Sequence, residues 1–246
     1  MGAAQLDEHR SSQSNLTPWL LGLCGLVTLA MIAAARIKGG YIDEYYTMSF
    51  ADSSVPLHQA FNGWTRDSLH PIGFYAWNRI ADLILVPDVF IRRLANLAYF
   101  ALALIVAWCS GKAHRSFALL FIASVAAVPY VLERFAEYRA TFLALMILAM
   151  LIVRLRIALV QPPRGRSLIL IVALSSLLGL VDYPVTISGI ALCGAWGIHA
   201  LMDRDGHGIR CAMGALAAWC RSFPPSTPAP FRRLAAPMPV MPWRSV

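Results

Sequence analysis

The chain has 246 residues, of which 58% are hydrophobic and only 14% charged, and its mean hydropathy is +0.60. Soluble domains run nearer half apolar and a quarter charged, and the excess here is gathered in blocks too long and too numerous for one globular core. The formal net charge of +8 is loop charge facing anionic headgroups rather than a nucleic-acid surface, because no Lys/Arg run is interleaved with aromatics in a polar segment.

Residues 1–17 are polar and read as a short cytoplasmic segment. The run Pro18 to Ala35 follows, with Pro18 suited to a first helical turn. Its Ala33–Ala35 end is also what a signal-peptide cleavage site needs. Near-spanning length and the preceding acids Asp7 and Glu8 favour an uncleaved first transmembrane helix. Gly39 and Gly40 end it. Residues 37–79 form a large first outward loop, in which Asp43, Glu44, Asp52 and Asp67 face Arg36, Lys38, Arg66 and Arg79. The rings of Tyr41, Tyr45, Tyr46, Phe50, Phe61 and Trp64 suit helices lying at the interface.

Pro71 to Pro87 is apolar but interrupted by Asn78, Arg79 and Asp82, as in a short, tilted or partly re-entrant helix. Leu94 to Cys109, Ser116 to Leu132 and Ala140 to Val153 are the next spans, and Ser167 to Val181 pairs with Val185 to Met202 around Asp182–Pro184. The expectation is an all-α, polytopic bundle of about six spans within residues 18–206. Beyond it, 207–246 reads as a weakly structured tail. From Phe223 the Pro- and Arg-rich stretch has neither helical period nor strand alternation, as the out-of-frame end of a truncated gene would. Cys24, Cys109, Cys193, Cys211 and Cys220 form no CxxC pair and read as small core or lipid-facing residues, so no metal site is built on them.

With a cytoplasmic N-terminus and six spans, the Arg- and Lys-rich loops at 112–115, 154–166 and 203–210 fall inside. The loops at 37–79, 133–139 and 182, which hold most of the acids, fall outside, as the positive-inside bias requires. Arg92 and Arg93 go against it, since this parity puts them outside; counting 72–87 as a full span would shift the parity.

Asp43 and Glu44 read plainly as a solvated loop, His70-Pro71 as a helix start, and Glu137 with Arg139 as a loop salt bridge. Together, in this order, they are more informative. Asp43-Glu44-Tyr45-Tyr46 matches a "DE-x-Y" acid pair that opens a first outward loop, and His70-Pro71-Ile72-Gly73-Phe74-Tyr75 matches an "HPPLYY"-like motif that closes it. Phe135 to Phe142, with Glu137 and Arg139, matches "SxEARxYAL", and Arg93-Leu94 through Val106 echoes "RLxxxxFALxxV". Over residues 18 to 202 the chain resembles the N-terminal half of GT-C type membrane glycosyltransferases, of the protein-mannosyltransferase and aminoarabinose-transferase-like kind. It departs from that pattern at Ile72, where a second Pro is usual, at Phe142, where a Tyr is usual, and in length, since such proteins are about twice as long.

The resemblance implies inverting transfer of a sugar from a polyprenyl-phosphate carrier to a glycan, lipid or protein acceptor on the outer face of a bacterial plasma membrane. Inversion needs a base for the acceptor hydroxyl, and a carboxylate partly desolvated at a membrane border suits that task; Asp43 is the candidate, with Glu44 beside it. The planar fork of Arg139 matches the phosphate oxygens of the leaving group. Glu137 would orient Arg139, and Glu44 or His70 would position acceptor or phosphate. Tyr45, Tyr46 and Trp64 suit an interfacial belt or stacking on a sugar. Some relatives of this type use a divalent metal, but the acid pair does not by itself define such a site. Two rivals stand beside this reading: a small-solute transporter, for which only Asn78, Arg79 and Asp82 would serve, and a non-catalytic membrane fragment.

Overall fold

The computed structural model describes residues 3–65, 71–86, 88–161, 163, 165–203 and 205–222. All regular structure among them is helical, with no strand. Twelve helices follow in order: α1 (Ala3–Ile37), α2 (Ile42–Ala51), α3 (Leu57–Trp64), α4 (Ile72–Ile84), α5 (Val89–Leu94), α6 (Asn96–Trp108), α7 (Lys112–Ala127), α8 (Pro129–Phe135), α9 (Ala140–Ala158), α10 (Arg166–Val181), α11 (Tyr183–Met202) and α12 (Gly206–Ser222). Of the tail expected over 207–246, residues 207–222 are helical instead, forming most of α12, which buries Cys211, Ala212 and Ala215 against α10 and α11; from Phe223 onward the tail lies outside the described residues.

Four segments are long and apolar enough to cross a membrane: Leu16–Ile37, Val89–Trp108, Ala140–Ala158 and Tyr183–Met202. A fifth arises if α7 and α8, which meet at 77°, form one broken span. Proline causes that break. Pro129 cannot donate a backbone hydrogen bond and forces Val128 into extended geometry (φ −61°, ψ 130°). The protein is thus an integral membrane helix bundle, with four or five candidate spans among the described residues where about six are expected. α10 makes the difference: its 16 residues reach roughly 24 Å at 1.5 Å each, against a hydrocarbon core of about 30 Å. α4, with 13 residues, is shorter still, as its interrupted sequence implies.

Helix α9 is the axis of the bundle. From Phe142 to Val153 it is apolar all round, and its Phe142, Met146, Ile147, Met150 and Leu151 are buried, as a helix surrounded on every side must be. Helices α6, α7, α8, α10 and α11 pack around it, and α1 lies outside them against α5, α7 and α8. The outer face of α1 carries Leu21, Leu26 and Leu29, each more than half exposed, which is a lipid-facing surface. The start of α1 differs from expectation. Helix begins at Ala3, so Pro18 lies within it and not in its first turn. The preceding residues include Ala3, Ala4, Leu6, Glu8 and Gln13, all good helix formers, and they extend the helix past the point where the apolar run begins.

Reversal at each connection sorts the loops into two ends. At one end, the last turn of α1, helices α2 to α5, the turn 136–139 and the α10–α11 junction come together. Gly73 at the start of α4 shows how closely: a Cβ there would lie 2.6 Å from the Leu180 carbonyl oxygen of α10. Asp182 in that junction caps α11 by accepting from the Val185 N–H (3.0 Å). At the other end, Arg154 donates to the Val106 carbonyl (3.1 Å), Arg115 stacks on Trp108, and α12 packs on α10 and α11. In a cysteine-free background, single cysteines at Ser54 and Glu133 should be labelled by a membrane-impermeant thiol reagent from the same side. A cysteine at Lys112 should be labelled only from the opposite side. Labelling of all three from one side would contradict this arrangement.

Candidate functional site

The two adjacent acids stand in the first turn of α2, where carboxylates favour the positive end of the helix dipole. Gly39 and Gly40 stop α1, the chain turns, and Tyr41 becomes the residue preceding the new helix. Glu44 reaches back to accept from the Tyr41 N–H (3.0 Å), closing the helix start. Successive helical side chains project about 100° apart, so Asp43 and Glu44 point into different surroundings.

Glu44 points inward and is fully buried. Its two oxygens meet Arg93 of α5 as a fork, Nε to Oε1 at 2.7 Å and Nη2 to Oε2 at 2.6 Å. Oε1 also accepts from the Tyr138 N–H (2.8 Å). With the Tyr41 contact, the carboxylate has four donors and no free lone pair for a substrate. Arg93 is as fully matched: its remaining three N–H groups go to the carbonyls of Ala35 (3.0 Å), Lys38 (2.7 Å) and Gly39 (2.8 Å). One ion pair therefore ties together the end of α1, the start of α2, α5 and the turn before α9. Glu44, expected beside Asp43 in catalysis, is placed as an internal anchor.

Asp43 points outward, and its side chain is 44% exposed. Its Oδ2 lies 3.2 Å from Nη2 of Arg139, which in turn sits over the Tyr41 ring at 5.8 Å. Arg139 precedes α9 in extended geometry, and its Nη1 lies 3.9 Å from Glu137. Glu137 is 3% exposed and is held by Lys38 (2.6 Å) and Arg134 (2.7 Å), while Lys38 also reaches Glu133 (3.4 Å). Asn96 fixes the turn from below, donating to the carbonyls of Phe135 (2.8 Å) and Glu137 (3.0 Å). Sequence-predicted Asp43, Glu44, Glu137 and Arg139 thus converge from loops almost a hundred residues apart. His70 lies outside the described residues.

A second clamp stands beside the first. Arg92 pairs with Asp82 of α4, and Asp82 also accepts from the Ser53 N–H (2.7 Å). Burial pushes the Asp82 carboxyl up, but the Ser53 contacts and the Arg92 guanidinium outweigh it and hold it below its ordinary value. Arg79 donates to the carbonyls of Asp52 (2.8 Å), Ser53 (3.1 Å) and Val55 (2.6 Å), fixing the link from α2 to α3. Tyr138, buried beside Arg92, has its phenol pushed up to about 12 by burial, so it is neutral at physiological pH. Sequence reasoning missed the roles of Lys38, Asp82, Arg92, Arg93 and Asn96. Its one signal was two arginines at the mouth of an apolar span, which need partners.

The aromatic residues divide in the same way. Tyr45 and Tyr46 are about half exposed, and Tyr46 packs on Phe50 with ring centroids 5.2 Å apart. Trp64 is buried, donates to the Phe50 carbonyl (2.8 Å) and stacks on Tyr75 at 6.2 Å, so it is a packing residue and offers no face to a sugar. Among the described residues no group of three or more His, Cys, Asp or Glu side chains is placed to hold a metal ion. Cys24, Cys193 and Cys211 are buried and Cys109 exposed, all unbridged. No protein-family model, curated protein or solved structure matches the chain.

The neighbouring acids should respond unequally to amidation. Glu44→Gln leaves Arg93 buried and uncompensated and should cost about 3–5 kcal/mol in thermal or denaturant unfolding in detergent. Asp43→Asn removes a partly exposed pair and should cost at most about 1 kcal/mol. Equal losses for the two variants would contradict the assignment.

Proposed function

We propose that this chain is a GT-C type membrane glycosyltransferase, or the N-terminal half of one, that transfers a sugar from a polyprenyl-phosphate carrier to a glycan, lipid or protein acceptor with inversion. The observation that supports it best is the 3.2 Å pair between Asp43 and Arg139. A carboxylate able to take a proton and a guanidinium able to hold a phosphate meet at one end of a membrane bundle, on side chains that remain partly accessible.

Without substrate the two groups neutralise each other. The donor phosphate competes for the planar fork of Arg139, for which it is a matched partner. Displacing the Asp43 carboxylate from that fork releases it toward the acceptor. The acceptor hydroxyl then gives its proton to Asp43 while its oxygen forms the new bond to the anomeric carbon. The bond from that carbon to the phosphate oxygen breaks on the opposite face, and the phosphate leaves with its charge on Arg139. Glu137, held by Lys38 and Arg134, keeps a negative charge behind Arg139 and positions it. Glu44 and Arg93 hold both loops in register and touch no substrate. By the resemblance, His70 and Tyr46 would bind donor or acceptor, and a divalent metal, where such an enzyme uses one, would join the donor phosphate.

In this reading α10 is a sixth crossing, short enough to require local bilayer thinning. The loop from 37 to 79 faces outward at a bacterial plasma membrane, and the Arg- and Lys-rich loops face the cytoplasm. Arg92 and Arg93, each buried against a carboxylate, are the exception to that bias. The transporter reading gains nothing from its cluster, since Arg79 and Asp82 are occupied in holding the turn at residues 52–55.

Asp43→Asn should lower transfer of labelled sugar from a polyprenyl-phosphate donor by 10²-fold or more, with membrane insertion unchanged; retained turnover would remove Asp43 as the base. Arg139→Ala should weaken donor binding by roughly ten- to a hundredfold, with Arg139→Lys recovering only part because it lacks the fork. Unchanged donor affinity in Arg139→Ala would remove the phosphate role.

A further inference from the structure

A hollow of about 230 Å³ opens where the end of α1 meets the start of α5, lined by Arg36, Lys38, Gly40, Tyr45, Phe90 and Arg93. Neither Asp43 nor Arg139 lines it. Two of its three cations are already matched. Arg93 gives all five N–H groups to protein acceptors, and Lys38 is paired with Glu137 and Glu133.

Arg36 is different. Among the described residues no carboxylate lies within ion-pair distance of it, and its guanidinium rests over the Phe90 ring at 5.5 Å. An aromatic face holds the fork in place while leaving its N–H edges free. Tyr45 supplies a second donor. Its hydroxyl lies against Gly40 so closely that a Cβ there would be 2.6 Å away and would push the hydroxyl from this position. The hollow therefore carries one unmatched positive charge and a nearby hydroxyl donor, at the border of two apolar spans.

We infer that this hollow, with Arg36 over Phe90 and Tyr45 against Gly40, holds the phosphate of an anionic glycerophospholipid, apart from the Asp43–Arg139 pair. The single charge of a phosphodiester matches the single unmatched guanidinium. The hollow is smaller than the roughly 300–1,000 Å³ of pockets that enclose whole small molecules, which suits a headgroup phosphate rather than a nucleotide. Its remaining walls, Ala35 and Val89, belong to the ends of two candidate spans. Beside them Ile37 is 82% exposed, so acyl chains leaving the phosphate run onto apolar helix surface. The inference rests on the membrane helices and the hollow, and holds whether or not the chain transfers sugar.

The test is lipid retention by the purified full chain, measured by native mass spectrometry with phosphatidylglycerol and phosphatidylcholine in turn. One phosphatidylglycerol should be retained per chain in preference to phosphatidylcholine. Arg36→Ala should weaken that retention by about tenfold or more, Arg36→Lys should restore part of it, and Arg115→Ala at the opposite end should change nothing. Neither inorganic phosphate nor polyprenyl phosphate at equal concentration should displace the bound lipid. Three results would overturn the inference: undiminished retention by Arg36→Ala, equal retention of phosphatidylcholine, or displacement by either competitor. Displacement by inorganic phosphate would make this a free-anion site, and displacement by polyprenyl phosphate would make it part of the donor site. Because the readout is lipid mass and not transfer, it is independent of the outcome for Asp43 and Arg139.

Discussion

An arginine set near the start of an apolar span must be neutralised and have every N–H satisfied, because the bilayer offers neither water nor counter-ion. Arg93 meets that requirement through Glu44 and three carbonyls at the end of α1. The arrangement of this end of the molecule follows from it. The carbonyls can reach Arg93 only if α1 stops at Ile37 and the chain turns through the two glycines. Glu44 can reach it only if α2 starts at once after that turn. The Tyr138 N–H joins the same carboxylate, which brings the turn before α9 within reach of α2 and so sets Arg139 beside Asp43. A buried ion pair is seldom a large source of stability in itself. Here it fixes which loops meet.

The adjacent acids illustrate how one position along a helix separates structure from chemistry. Glu44 is saturated and unavailable, whereas Asp43 is partly exposed and has one partner that a phosphate can take from it. The proposed glycosyl transfer depends on that inequality. In that proposal, a base that is also the resting counter-ion of the phosphate-binding group would stay masked until the donor arrived, so the acceptor proton would move only with both substrates in place. Arg92 with Asp82, and Arg79 with the turn at residues 52–55, serve the same end by holding α4 against the loop that carries the acids.

Much of the bundle was legible in the sequence, since a span needs a continuous apolar run and such a run shows itself by length. Leu16–Ile37, Ala140–Ala158 and Tyr183–Met202 fall close to where the hydropathy places them, and Pro129 marks the break between α7 and α8. The interruption of 71–87 by Asn78, Arg79 and Asp82 correctly signals a short helix. The start of α1 did not show, because apolarity marks where lipid begins and not where a helix begins. The site was half legible. Asp43, Glu137 and Arg139 could be chosen by residue type and order, but pairing across almost a hundred residues leaves no periodic trace, so the separate fates of Asp43 and Glu44 were hidden. Arg92 and Arg93 stood out only as charges on the unexpected side. Their burial against carboxylates could not be read from the sequence, because it depends on partners elsewhere in the chain.

The dependence of both loops on one ion pair is most directly tested by amide hydrogen exchange at Tyr41 and Tyr138 in the membrane-embedded protein. Both N–H groups donate to Glu44, so both should exchange far more slowly than exposed loop amides, and both should lose that protection together in Arg93→Ala. Rapid exchange at either amide in the unaltered protein, or protection that survives the loss of Arg93, would contradict the account.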